Sequence, residues 1–304
     1  MPEVITSPSN PKIKKLLALQ QKSSERRGSG LFVVEGRREL QHCIDAGFDI
    51  DSIFFCPSLL SARGGGELPP KTSGVAGPLP LTASAGPSLL RSRGWLRFSE
   101  AVATSPEPDQ KSIKEFEVSE EVYAKIAMRE GTEGIVAEVR VRQRKLEDIV
   151  LPQNPLIVVL ERVEKPGNLG AVLRSADAAG ADAVLVCDPL TDLWNPNLIR
   201  ASVGAVFTVP CVACSSEEAI AFLKERGICI LTAQLQDSSL YYDCDMTVGT
   251  ALVMGTEATG LTDVWRAAAD AHIRIPMLGR LDSLNVSVSA AILLFEAVRQ
   301  RSNG

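Results

Sequence analysis

The sequence lacks any apolar run approaching the roughly 18 to 20 residues that a bilayer-crossing helix needs. Its opening stretch, MPEVITSPSNPKIKK, also lacks the apolar core of a secretory signal. These two absences predict a soluble cytoplasmic protein with no membrane partner. Histidine is nearly missing: His42 and His272 are the only two, and neither has the Cys or Ser companion that a hydrolytic site would need. Cysteine is present but not arranged for crosslinking. Seven thiols scattered over 304 residues do not form the dense framework of a small secreted domain, and they read as reduced. Cys211 and Cys214 form a CxxC, yet no second pair or nearby histidine completes a zinc site.

What is present is a globular composition, 45% hydrophobic and 23% charged, in a chain long enough for about two domains. The formal net charge of -5 argues mildly against a polyanionic partner. The average conceals a local field, because residues 1–44 carry eight Lys or Arg against four Glu. A solvated helix face and a nucleic-acid footprint both fit that excess.

Pro11 followed by Ile13, Leu16 and Leu17 predicts a first helix ending near Gly28. LFVVE (31–35) reads as a strand, followed by a helix ending near Gly47 and a strand SIFFC (52–56). From about 58 to 112 the pattern dissolves, with seven Gly and seven Pro, and is expected to be a mobile insertion because it cannot bury enough apolar surface to offset its ordering entropy. A helix over 119–130, capped by Ser119, and a strand over 134–141 complete a small α/β domain, 1–141. A charged linker, 142–154, precedes a second domain, 155–304. There strands and helices alternate: LIVVLE, a helix 169–179, AVLVC, a helix near 195–204, VFTVP, a helix near 216–226, ICILTAQ, ALVMG, a helix near 261–269, IRIPM and a last helix from about 285 to 301. This alternation predicts a mostly parallel sheet covered on both faces, with its chemistry in the loops after the strands.

Three of those loops stand out. In ERVEKPGNLGAVLRS, Pro166, Gly167 and Gly170 are read as a turn that presents Asn168 and opens a helix carrying Arg174. A capping Asn and a surface Arg would be the ordinary account. In ALVMGTEATGL a strand ends at Gly255, followed by Glu257 and Gly260; neither GxxxxGK[ST] nor GxGxxG is present, which disfavours a nucleotide triphosphatase. In IRIPMLGRLDSLNVSVS, a loop with Pro276 and Gly279 leads to Ser283 and Asn285 at the start of the last helix, where capping alone would explain them.

Taken in order, the three segments resemble the motifs of the SpoU (TrmH) family of RNA 2'-O-ribose methyltransferases in the SPOUT superfamily. The first domain, through SPSNPKIKKLLALQQKSSERRGSGLFVVEGRRELQHCIDAG, is similar to the substrate-binding domain often fused ahead of these enzymes, itself like a ribosomal RNA-binding protein. The resemblance implies an α/β fold: a SPOUT parallel sheet with a C-terminal trefoil knot, an exception to unknotted topology, behind a small ribosomal-protein-like RNA-binding domain. It implies S-adenosylmethionine as cofactor, held by Gly255, Ile275 and Leu284, with Thr232 and Ala233 as further candidates. Asn168, Arg174, Glu257, Ser283 and Asn285 match its catalytic or RNA-contacting positions. It implies a homodimer whose partner completes the site with Arg174, and it favours ribosomal RNA of the large subunit over tRNA. Methyl transfer from a sulfonium needs no metal. An ordinary arginine, with a pKa above about 12, is a poor base, so Arg174 either has a strongly lowered proton affinity or anchors a phosphate and the developing alkoxide. A SPOUT base methyltransferase and a non-catalytic RNA binder are the rival readings.

Overall fold

The computed structural model describes residues 2–61, 113–128, 133–256, 259–280 and 283–302. The Gly/Pro-rich insertion therefore falls outside the described residues, apart from 58–61 at the end of helix α4 (Pro57–Ser61), and so does Glu257.

The N-terminal half builds a five-stranded sheet from β1 (Glu3–Ile5), β2 (Leu31–Glu35), β3 (Ile50–Phe55), β4 (Lys114–Val118) and β5 (Ile135–Arg140), in the order β1-β4-β3-β5-β2. The β1–β4 and β3–β4 pairs are parallel, whereas β5 runs antiparallel to β2 and β3. Around this sheet lie α1 (Pro11–Gln21), α2 (Ser23–Ser29), α3 (Arg37–Asp45) and α5 (Glu120–Ile126). Ser119 caps α5 as expected, its Oγ accepting from the Val122 amide at 3.3 Å, but the helix ends at Ile126, with Ala127 extended.

Two features of this half differ from the sequence reading. The first helix is not continuous to Gly28, because Lys22 is extended (φ -117°, ψ 119°) and separates α1 from α2. The break frees carbonyls at the end of α1, and the buried Arg26 guanidinium donates to two of them, Leu19 O at 2.6 Å and Gln20 O at 3.2 Å. Strands β1 and β4 went unread; β4, KEFEV, buries only Phe116 and Val118, so its alternation is short and diluted by charge.

The C-terminal half is a seven-stranded sheet. Its strands are β6 (Leu156–Glu161), β7 (Ala183–Cys187), β8 (Cys211–Cys214), β9 (Cys229–Ala233), β10 (Ser239–Leu240), β11 (Thr250–Met254) and β12 (Ala271–Arg274), in the order β10-β12-β9-β11-β6-β7-β8. Every pairing in it is parallel. Near-continuous apolar strands, with all six residues of β6 and all five of β7 buried, are what a sheet covered on both faces requires. The covering helices are α6 (Pro166–Ala179), α7 (Pro196–Ala201), α8 (Ala205–Thr208), α9 (Ser216–Glu225), α10 (Asp263–Ala268) and α11 (Val286–Ser302).

The expected strand VFTVP is instead helix α8, and the edge strand is the next segment, CVAC. Pro210 has no amide to donate to a ladder, and Val206 and Phe207 are buried in the core rather than spread along an edge. IRIPM is likewise a strand only through Arg274, which leaves Ile275 and Pro276 in the following loop. Gly170 is not part of a turn but lies inside α6. A Cβ there would sit 2.6 Å from Ala201 Cβ and 2.8 Å from Leu198 O, so α6 and α7 touch backbone to backbone.

The two sheets share one apolar core. Phe32 stacks on Trp194 with ring centroids 4.7 Å apart, and Phe48 meets Trp194 and Phe207 edge-on at 5.6 and 5.3 Å. Arg26 pairs with Asp192 across the same boundary at 2.6 Å. All seven cysteines are free. Burial pushes the Cys211 thiol up to about 12. No helix among the described residues is long and apolar enough to cross a membrane.

Substituting Gly170→Ala forces a methyl group into the α6–α7 contact and should lower the unfolding free energy by about 1–3 kcal/mol. Urea unfolding would register this as a lower midpoint at unchanged slope; an unchanged midpoint would mean that the two helices can separate freely.

Candidate active site

Because β6, β9, β11 and β12 are parallel neighbours, their carboxyl ends lie along one edge of the sheet, and the loops carrying the three sequence motifs leave from that edge. A pocket opens at the end of β6 and β11. Its wall includes Leu160, Glu161, Val163, Asn168, Gly255 and Val286.

The first and third motifs meet directly. Asn285 Nδ2 donates to Asn168 Oδ1 at 3.2 Å. Asn285 also caps α11, its Oδ1 accepting from the Ser287 amide at 2.9 Å and from Ser287 Oγ at 2.6 Å. Capping thus orients the carboxamide so that its NH2 faces α6. Asn168 lies in the first turn of α6, with Pro166 at the first helical position and Lys165 as cap.

The second motif folds back on its own strand. Gly260 (φ 65°) donates its amide to Thr256 O at 3.0 Å, and Thr256 Oγ1 accepts from the Thr259 amide at 3.0 Å. A Cβ on Gly255 would lie 2.3 Å from the Gly260 carbonyl, so the glycine is first required by the loop's own backbone crossing it. The loop is then held by a residue that the motifs did not include. Glu161, the last residue of β6 and 3% exposed, accepts from Thr262 N at 2.9 Å and from Thr262 Oγ1 at 2.6 Å. A carboxylate ending the apolar run LIVVL was its visible signal.

Other candidates lie elsewhere along the edge. Thr232 is fully buried in β9 with its Oγ1 2.6 Å from His272 Nδ1, and Ala233 follows it at the strand end. The next residue, Gln234, was not singled out, yet its Oε1 is buried with no hydrogen-bond partner, while its Nε2 donates to Gln236 O at 3.0 Å. Ile275 is half-buried beyond β12, and Ser283 and Leu284 are exposed just before α11. Arg174 is exposed and, among the described residues, has no ion pair or side-chain hydrogen bond. Six residues along a helix amount to about 9 Å of rise and a turn of roughly 120° away from the starting face. Arg174 therefore does not share the face on which Asn168 meets Asn285.

Comparison with known proteins decides the family. Residues 155–295 match the SpoU rRNA Methylase family, and residues 10–73 match the MRM3-like substrate binding domain. The chain is 38% identical over 175 residues to the 23S rRNA (guanosine-2'-O-)-methyltransferase RlmB of Vibrio vulnificus, covering 56% of this chain and 71% of that enzyme. The chain belongs to the SpoU family of RNA 2'-O-ribose methyltransferases. It is also 35% identical to the 23S rRNA (uridine(2479)-2'-O)-methyltransferase of Streptomyces viridochromogenes, over 56% of this chain and 61% of that enzyme. Its match to the tRNA (guanosine(18)-2'-O)-methyltransferase of Thermus thermophilus is 41% identical and covers 57% of this chain and 87% of that one. Among solved structures, a SpoU-type fold running the whole length recurs in an RNA 2'-O ribose methyltransferase, with a TM-score of 0.73 at 35% identity over 98% of this chain and 99% of the other. An AdoMet-bound rRNA methyltransferase from Sinorhizobium meliloti gives a TM-score of 0.77 at 28% identity over 98% and 97%.

In this SpoU family member Glu161 should act as a positioning residue for the glycine loop. Replacing it with Ala removes both acceptors of Thr262, and S-adenosylmethionine affinity measured by calorimetry should fall about tenfold or more, whereas Glu161→Gln, which can still pair with Thr262, should stay near wild type. Undiminished binding by the Ala variant would show that the loop keeps its shape without Glu161.

Proposed function

We propose that the chain transfers a methyl group from S-adenosylmethionine to a ribose 2'-hydroxyl in ribosomal RNA of the large subunit. The observation that carries this reading is the Asn168–Asn285 hydrogen bond, which joins the first and third motifs beside Gly255 of the second in one pocket. The preference for ribosomal RNA over tRNA rests on the full-length likeness to an rRNA methyltransferase and on the substrate-binding module over residues 10–73.

The residues present suit the cofactor. Gln234 Oε1 is a buried acceptor without a donor, next to Thr232 and Ala233 on the same sheet edge as Gly255 and Ile275. Unpaired buried acceptors are costly unless a ligand satisfies them. Glu161, Glu164 and Lys165 also line the pocket, which gives it a net negative wall toward a cationic sulfonium compound. Gly255, Ile275, Leu284, Thr232 and Ala233 would hold it. When bound, it supplies an electrophilic methyl group.

The chain's own residues then have to orient the ribose and stabilise the charge that develops on its oxygen. The paired amides of Asn168 and Asn285 are set to orient the sugar, Ser283 lies two residues before Asn285 at the start of α11, and Glu257 of the second motif is a further candidate. Arg174 faces away from its own Asn168, which supports a site completed across a two-fold axis. The exposed Val288 and Phe295 and the half-buried Ile292 make an apolar stripe on α11 that such a homodimer would cover. The return of α11 onto α6 and β11 supports a trefoil-knotted C-terminus, and the lack of a membrane-crossing helix among the described residues accords with a cytoplasmic site of action.

Two measurements test this. Radiolabelled S-adenosylmethionine with unmodified large-subunit RNA should place label on a ribose 2'-oxygen; label on a base, or on tRNA alone, would overturn the assignment, and folded protein that labels neither RNA would indicate a binder. For the dimer, Arg174→Ala and Asn285→Ala chains, each inactive alone, should recover about one quarter of wild-type activity when mixed and reassociated, since half the dimers then contain one intact site. No recovery would place Arg174 in its own chain's site.

A further inference from the structure

A second cavity, distinct from the pocket beside Gly255, lies on the seam between the two halves. It is bounded by the end of α1 and start of α2, by residues 142–144 and by the loop 189–195 that follows β7. Its walls carry Arg26, Arg27, Arg142 and Arg144, and among the described residues the only acidic one lining it is Asp192. That carboxylate is already committed to Arg26, at 2.6 and 3.2 Å through two nitrogens. Among the described residues, Arg27, Arg142 and Arg144 have no carboxylate partner. In a chain of net charge -5, three uncompensated guanidinium groups around one cavity reverse the overall field.

Arg144 feels both its burial and its neighbour. Arg144, half-buried, donates to Val209 O at 3.3 Å, and its affinity for the proton is lowered by burial and then by the charge of Arg142. Beside the arginines stand Gln21, Gln143 and Asn195, which can bond to phosphate or ribose oxygens, and the half-buried indole of Trp194. The groove also leads somewhere. Leu190, in its wall, donates its amide to Val163 O at 3.2 Å, and Val163 lines the pocket beside Asn168.

We propose that this interdomain groove binds the sugar-phosphate backbone of the RNA strand adjoining the modified nucleotide, with Arg27 and Arg142 neutralising its phosphates, so that the strand leaves the groove at the Val163 wall of the catalytic pocket. The inference rests on the RNA reading above and adds the path that the substrate follows. Because phosphate contacts carry little sequence information, the groove would contribute affinity and register rather than choice of target.

The test compares Arg27→Gln, Arg142→Gln and the double variant with Arg226→Gln, an exposed-arginine control that follows α9 and lies outside the groove. Binding of a fluorescent single-stranded RNA of mixed sequence is measured by anisotropy across a salt series, and S-adenosylmethionine binding is measured separately as a check on folding. Arg144 is left intact because it also supports Val209. The expected result is about a tenfold fall in RNA affinity per charge removed, with the slope of log affinity against log salt shallower by about 0.7 for each phosphate no longer neutralised. Cofactor affinity should be unchanged, and in turnover the KM for RNA should rise with kcat nearly constant. RNA affinity and salt slope equal to wild type in the double variant would overturn the groove and leave the methyltransferase reading standing. Wild-type protein that binds no RNA while binding S-adenosylmethionine would overturn both.

Discussion

The site depends on how α11 is clamped. At its C-terminal end the Arg301 guanidinium donates to four carbonyls: Met246 O at 2.8 Å, Asn154 O at 2.8 Å, Pro155 O at 3.1 Å and Val248 O at 2.7 Å. Three chain segments that are remote in sequence, before β6, before β11 and at the end of the last helix, are thereby tied at one point. Gln300 adds a second tie, donating to Cys244 O and accepting from the Met246 amide. With that end fixed and its apolar face laid along α6, the other end of the helix delivers Asn285 to Asn168 and Val286 to the pocket wall. Charge-assisted bonds to carbonyls that would otherwise be orphaned make such a clamp stiff.

A second constraint works where the two halves of the chain meet. The aromatic contacts of Phe32 and Phe48 with Trp194 and Phe207, together with the pair of buried Arg26 and half-buried Asp192, join the two halves through a packed boundary rather than a free linker. Losing Asp192 would leave the buried Arg26 guanidinium with only the Leu19 and Gln20 carbonyls as acceptors. The pairing has an electrostatic side effect: by occupying Asp192, Arg26 leaves the neighbouring arginines uncompensated. An acidic chain can thus present a basic groove without altering its average composition.

Much of the fold was legible locally. The apolar runs of β6, β7, β9 and β11 and the long helices between them appear where periodicity and turn residues place them. The failures share a cause. Val206 and Phe207 have strand propensity but are drawn into the aromatic boundary as a short helix, and the two residues of β4 that face the core are too few to stand out against its charges. Lys22 breaks a helix that its neighbours would continue, and the broken end is satisfied by Arg26, a contact that local sequence does not announce.

The candidate site divides in the same way. Motif order alone singled out Asn168, Gly255 and Asn285, because each sits at a strand end or helix start whose turn chemistry is written in a few adjacent residues. Glu161 and Gln234 emerged only with the tertiary structure, since their importance lies in what they touch or fail to touch across the sheet: Thr262 about a hundred residues away for one, and no donor at all for the other. The direction of Arg174 away from Asn168 likewise follows from helix geometry rather than from spacing in a motif. By itself the sequence determined the alternating α/β architecture and the family's three loops, because backbone periodicity and turn preferences are short-range. The tertiary structure decided which side chains share a cavity, because burial and hydrogen bonding are settled between residues that only the completed sheet brings together.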